Sequence, residues 1–171
     1  MRIIKLIMRN FIIISLNYLY RFLDKFLNFF KSFSSRELYV FLLHSTEKKY
    51  FNEYYNLLKN INSKYPFINP SQIDDFYNGK LGYQSKSILT FDDGFQDNLL
   101  FSKEVLEPLG IKAIFFIIPF FMNKKSPKLF FKSLFPNNNS MPSDLIRFTH
   151  LSVKDVKELI NNGHLIGMHG F

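Results

Sequence analysis

Leu89-Thr90-Phe91-Asp92-Asp93-Gly94 ends an apolar run in two adjacent carboxylates and a glycine. Side by side, two aspartates repel each other and lose solvation. They become tolerable where one binds a cation and the other handles a proton. Near the other end of the chain, Asn162-Gly163-His164-Leu165-Ile166-Gly167-Met168-His169-Gly170 carries an imidazole at the close of a second apolar run. Carboxylate and imidazole are both zinc ligands, and a catalytic zinc typically takes three protein ligands plus water. The metal lowers the pKa of that water, and a neighbouring carboxylate can accept its proton. Successive strand-end side chains point different ways, so Asp92 and Asp93 can divide these jobs. The competing reading is that the pair caps the helix running from Gln96 to Leu109.

The elements that must position these groups follow from apolar periodicity. Leu38–Leu43, Ser87–Phe91, Ile111–Ile118 and His164–Met168 are short, apolar and rich in strand-favouring residues. Between them the pattern predicts helices over Tyr50–Ile61, Asp97–Leu109 and Ser152–Asn161, with a short one near Pro70–Phe76. Ser152 and Asp155 have the spacing of a capping box. Pro127, Pro136, Asn137-Asn138-Asn139 and Pro142 make residues 120–148 read as a long surface excursion. Alternation of strand and helix predicts an α/β fold with a parallel sheet or barrel. In such folds function gathers at the carboxyl ends of strands. Asp92, Asp93, His169 and His44 all fall there.

Composition bounds the rest. The 171 residues suit one domain with an appendage, and 47% apolar residues suffice for a core. The chain holds 22 Phe and no Cys. Coding bias accounts for the phenylalanines, and the lack of cysteine excludes disulfides and thiolate metal sites. The net charge of +8 is uneven. Residues 1–36 hold seven basic side chains against Asp24, a net of +6, while the other 135 carry 15 basic and 13 acidic, a net of +2. A nearly neutral body argues against nucleic acid as a partner.

Residues 1–36 read as a basic amphipathic helix. Ile4, Met8, Phe11, Tyr18, Phe22, Phe26 and Phe29 fall on one side, and Arg2, Asn17, Arg21, Asp24, Asn28 and Lys31 mostly opposite. The charge-free core between Arg9 and Arg21 is short for a spanning helix. The readings are a helix on an anionic membrane surface, an uncleaved signal anchor, or a segment packed on the domain. The first predicts membrane association in the cell envelope.

The residues also carry a family resemblance. Thr90-Phe91-Asp92-Asp93-Gly94, extended by Phe95, Asp97 and Asn98, resembles the first motif of NodB-homology polysaccharide deacetylases, carbohydrate esterase family 4. Gly110–Phe116 resembles the next strand, with Lys112 and Ile114 where Pro and Thr are usual. Asn162–Gly170 resembles the start of the second motif, with Leu165 where an acid is common. The likeness covers roughly residues 38–171. It implies the N-terminal part of a deformed (β/α) barrel, preceded by the amphipathic helix. It implies Asp92 as the general base and Asp93 and His169 as ligands of a divalent metal, with zinc the expected ion. The substrate would be an N-acetylated polysaccharide or glycan. His164 matches a motif position without being a ligand there and is expected to support the turn. His44 resembles a histidine some relatives carry, with a structural strand-end role as the alternative, and His150 receives no role.

The family's second motif continues with another histidine four positions on, and Phe171 precedes that position. Further arginine, aspartate and histidine motifs are likewise not in these 171 residues. The expectation is therefore a truncated domain with an open apolar edge, one metal ligand short, which a downstream segment would complement. The alternative to an enzyme is an inactive remnant or a sugar- or membrane-binding module without turnover.

Overall fold

The four apolar runs form four parallel strands: β1 (Leu38–Leu43), β2 (Lys86–Phe91), β3 (Ala113–Ile117) and β4 (Leu165–Met168). Their spatial order is β1-β2-β3-β4, so each strand lies beside the one before it in sequence. That is the winding of a (β/α) barrel; a doubly wound sheet reverses its order at a switch point. The computed structural model describes residues 36–122, 126–138, 140 and 148–170. The expected N-terminal amphipathic helix, apart from Arg36, lies outside the described residues. None of the described helices is long and apolar enough to cross a membrane.

Strand alternation sorts the side chains onto two faces. On one, Leu89, Phe91, Ala113, Phe115 and Ile117 are buried under helices. The covering side chains include Phe51 and Leu58 of α1 (Phe51–Lys64), Phe101 of α3 (Asp97–Phe101), and Val156 and Leu159 of α6 (Val153–Asn161). Phe91 stacks on Phe115 at 4.6 Å, and Phe51 and Tyr54 meet Phe101 edge-on. Phe91, Phe101 and Phe115 have no exposed surface, and each contributes roughly 2–3 kcal/mol by leaving water. On the other face, Ile88 packs with Ile68 and with Phe76 of α2 (Ile73–Tyr77). Val40 and Leu42 of the outer strand β1 stay 62% and 51% exposed there.

Several boundaries differ from the sequence expectation. Helix α1 runs one turn beyond Ile61, to Lys64. The helix expected over Asp97–Leu109 is continuous but not regular: α3 passes into a π-helical stretch, Ser102–Leu106, and then α4 (Glu107–Leu109). Pro108 has no N–H, and in a regular helix its ring crowds the carbonyl four residues back, that of Glu104. The widened turn surrounds that carbonyl. Gly110, at φ 67°, closes the helix. Strands β3 and β4 are shorter than predicted.

The excursion expected over residues 120–148 needs the larger correction. It contains α5 (Pro127–Leu134), capped by Ser126 Oγ on the Leu129 amide. Phe130 and Phe131 of α5 join Phe95, Ile118, Phe121 and Phe148 in a second buried cluster. Much of the phenylalanine content therefore builds core, which offsets the turn-forming composition around it.

Candidate functional site

At the end of β2 the Asp92 amide still donates to the Leu43 carbonyl, at 2.9 Å, keeping β1 and β2 paired up to the carboxylates. Then the chain turns sharply. Asp93 has φ 67° and Gly94 has φ 68°, and Asp93 is the single non-glycine with positive φ among the described residues. A left-handed conformation costs an L-residue roughly 1–2 kcal/mol, with aspartate among the more tolerant types. The turn is held from outside by residues 149–151. The Leu151 amide donates to the Gly94 carbonyl and the Gln96 amide to the Thr149 carbonyl, both at 2.8 Å.

Neither Asp92 nor Asp93 caps the helix that follows. Its N-cap is Gln96, with no side-chain capping bond. Asp97 instead accepts from Ser45 Oγ at 2.6 Å and from the Thr46 amide at 2.9 Å. Asn98 Nδ2 donates to the His44 carbonyl at 2.8 Å. These bonds lash the loop after β1 to the start of α3, bringing the His44 ring toward the Asp93 carboxylate.

Four side chains from three strand ends thus meet. His169 Nε2 lies 3.6 Å from Asp92 Oδ2 and 4.0 Å from Asp93 Oδ1. His44 Nε2 lies 4.0 Å from Asp93 Oδ2. The His169 amide donates to the Ile117 carbonyl, so the pairing of β3 and β4 fixes where this ring starts. Its Nδ1 lies 2.7 Å from the Gly170 carbonyl. Nδ1–H donating there leaves Nε2 as the nitrogen that faces the carboxylates. The Asp93 side chain is 13% exposed and the His169 side chain 37%. Burial pushes the Asp93 carboxyl above its ordinary range; His44 and His169 pull it back, and the Asp92 charge adds to the rise.

This donor set suits a divalent metal in kind: one carboxylate and one imidazole are ordinary zinc ligands. It does not suit one in number or spacing. Tetrahedral zinc sets neighbouring donors about 3.3–3.4 Å apart, closer than Asp93 and His169 stand. Among the described residues no group of three or more His, Cys, Asp or Glu side chains has the geometry to hold a metal ion.

The parallel α/β sheet in barrel order, with the Asp92-Asp93-Gly94 turn after β2 and His169 after β4, is the fold expected from the resemblance to NodB-homology deacetylases. Solved structures agree with that assignment. IcaB from Ammonifex degensii superposes with a TM-score of 0.54 at 19% identity, over 78% of this chain and 55% of that one. A de-N-acetylase from Aggregatibacter actinomycetemcomitans superposes at 0.53 and 23% identity, over 77% of this chain and 54% of that one. The chain thus spans about 55% of the length of the solved structures it resembles. No family model matches the chain, and no curated protein does.

Two further histidines are buried: His164, expected to support the turn, and His150. His164 is 2% exposed, stands edge-on to Phe115 and accepts the Ala113 amide at 3.1 Å, so it fixes the start of β3. Burial, seconded by Lys112, pushes its pKa down to about 4. His150, given no role from the sequence, is buried against the turn that carries Asp93. Its only sequence signal is the polar pair Thr149-His150 between Phe148 and Leu151, which the surrounding turn-formers mask.

Proposed function

We propose that this chain carries the base and two metal donors of the active centre of a metal-dependent carbohydrate deacetylase. The observation that carries the reading is the meeting of Asp92, Asp93 and His169 at the carboxyl ends of β2 and β4, on a fold shared with a de-N-acetylase. The substrate is an N-acetylated sugar of a polysaccharide or glycan. Asp92 is the general base and takes the proton from water attacking the acetyl carbonyl. A C–O bond forms, the proton held by Asp92 passes to the sugar nitrogen as the C–N bond breaks, and the products are a free amine, acetate and one proton released to water. Asp93 and His169 are the two donors this chain offers a divalent metal, zinc being the candidate. No step is assigned to the metal, because two donors do not make a closed site.

Acetate release from N-acetylglucosamine oligomers, assayed with the chain and zinc, tests the reading. Release that falls at least a hundredfold in Asp92→Asn supports it; equal release in that variant rejects Asp92 as the base. A second reading, binding without turnover, is favoured by the lack of a three-donor group among the described residues. Oligosaccharide binding with no acetate release selects it. Micromolar or tighter zinc binding at one ion per chain, lost in Asp93→Ala, counts against it.

Residues 1–36, with their net charge of +6, are proposed to hold the body at an anionic membrane surface of the cell envelope. Salt-sensitive binding to anionic liposomes that disappears on deleting residues 1–36 supports this; unchanged binding refutes it.

A further inference from the structure

One ring touches three parts of the site's frame. His150 is 7% exposed. Its Nε2 accepts the Ile118 amide at 3.2 Å, just past the end of β3. Its Nδ1 lies 2.8 Å from the Leu151 carbonyl. These two partners define the neutral tautomer, with Nδ1–H donating and Nε2 accepting. The ring edge then presses on Gly94: a Cβ there would sit 2.6 Å from Nε2 and 3.0 Å from Cε1. Phe130 stands edge-on to the ring at 5.3 Å, and Phe121 lies 6.1 Å away. The backbone beside it pairs with the turn through the Phe95–His150 bridge.

We propose that His150 is a positioning residue, which fixes the left-handed turn at Asp93–Gly94 and so aims the Asp93 carboxylate at His44 and His169. The physical need is plain. Asp93 holds a backbone conformation that costs free energy, and such a conformation persists only where neighbours over-determine it. Strand pairing stops at Asp92. Beyond that point the turn is fixed by the two backbone bonds to residues 149 and 151 and by the His150 ring, and Ile118 anchors the ring to β3. Burial pushes the His150 pKa down, outweighing the Leu151 carbonyl and Asp93, which favour protonation. The neutral ring is therefore the form that fits this place. The role in catalysis rests on the deacetylase reading; the coupling of His150 to the turn does not.

The test follows His169 by NMR in the full chain, needing neither turnover nor metal. His169 faces Asp92 and Asp93, so its imidazole resonances report where those carboxylates point. His150→Phe keeps an aromatic ring between Phe121 and Phe130 and removes both polar contacts. The expected result is a folded protein with displaced His169 resonances and unmoved His164 resonances. His150→Gln restores an acceptor for the Ile118 amide and is expected to return His169 toward its wild-type position. Unmoved His169 resonances in folded His150→Phe overturn the proposal. Equal displacement at His164 overturns it too, as general loosening of the core. If His150→Phe does not fold, His150→Gln decides, and displaced His169 resonances there reject the assigned contact. Absence of acetate release, with the coupling intact, sinks the deacetylase reading alone.

Discussion

Asp93 and His169 approach to 4.0 Å although their strands are not neighbours. Strand β3 lies between β2 and β4, so the two side chains lean toward each other over its carboxyl end. The Asp93 turn and the pairing of β4 on Ile117 both serve that approach, and each places a specific demand on stability.

Asp93 is partly buried, and that burial holds its carboxyl above the ordinary range. The sign follows: its charged form weakens the fold above the raised pKa, and the penalty fades as pH falls and the group protonates. Asp93→Asn removes the charge and keeps a residue type that accepts positive φ. The variant should melt higher at pH 7, by on the order of 1 kcal/mol, with the gain shrinking toward pH 4. Thermal unfolding across that range checks it, and a lower melting point at pH 7 rules it out.

His164 sets an opposite pH dependence. Its pKa in the fold, about 4, lies below the ordinary 6.5. The neutral form therefore stabilises the fold above pH 6.5, and the contribution is lost as pH falls from there toward 4. The whole effect is about 3–4 kcal/mol. His164→Asn retains an acceptor for the Ala113 amide but has no proton to take up. Urea midpoints measured at pH 7 and pH 4.5 should fall less in the variant; an equal fall assigns the acid sensitivity elsewhere.

Gly167 lies two residues before His169, and a Cβ there would overlap the Phe116 ring of the adjacent strand. Gly167→Ala should cost roughly 1–3 kcal/mol by overpacking. In a Phe116→Ala background most of that cost should vanish, giving a positive coupling in a double-mutant cycle. Equal costs in the two backgrounds place the strain somewhere other than this contact.

The strands and the carboxylates were legible in the sequence because their signals are local. Leu38–Leu43 and Ser87–Phe91 are apolar runs bounded by polar residues, and the Ser152–Asp155 capping box forms as its spacing requires. The pairing of Gly94 with Leu151 was not legible, since two backbone bonds and one bridge leave no periodicity. Helix α5 was hidden by Pro127, Pro136 and the asparagine run, and the cluster around Phe130 by setting the phenylalanines down to coding bias. The π-helical stretch follows from Pro108 in hindsight, but proline alone does not say whether a helix kinks, ends or widens.

The sequential strand order has a consequence for how the protein is made. Every strand pairs with its immediate predecessor, so no pairing waits for a segment synthesised much later. During translation β2 can dock on β1 once residues 86–98 emerge, bringing His44 toward Asp93, and residues 149–151 then fix the Asp93 turn before β4 exists. The histidine after β4 arrives last, onto a carboxylate pair already in place. Assembly therefore runs in one direction, with the acidic half of the centre set first and the imidazole of His169 closing on it afterwards.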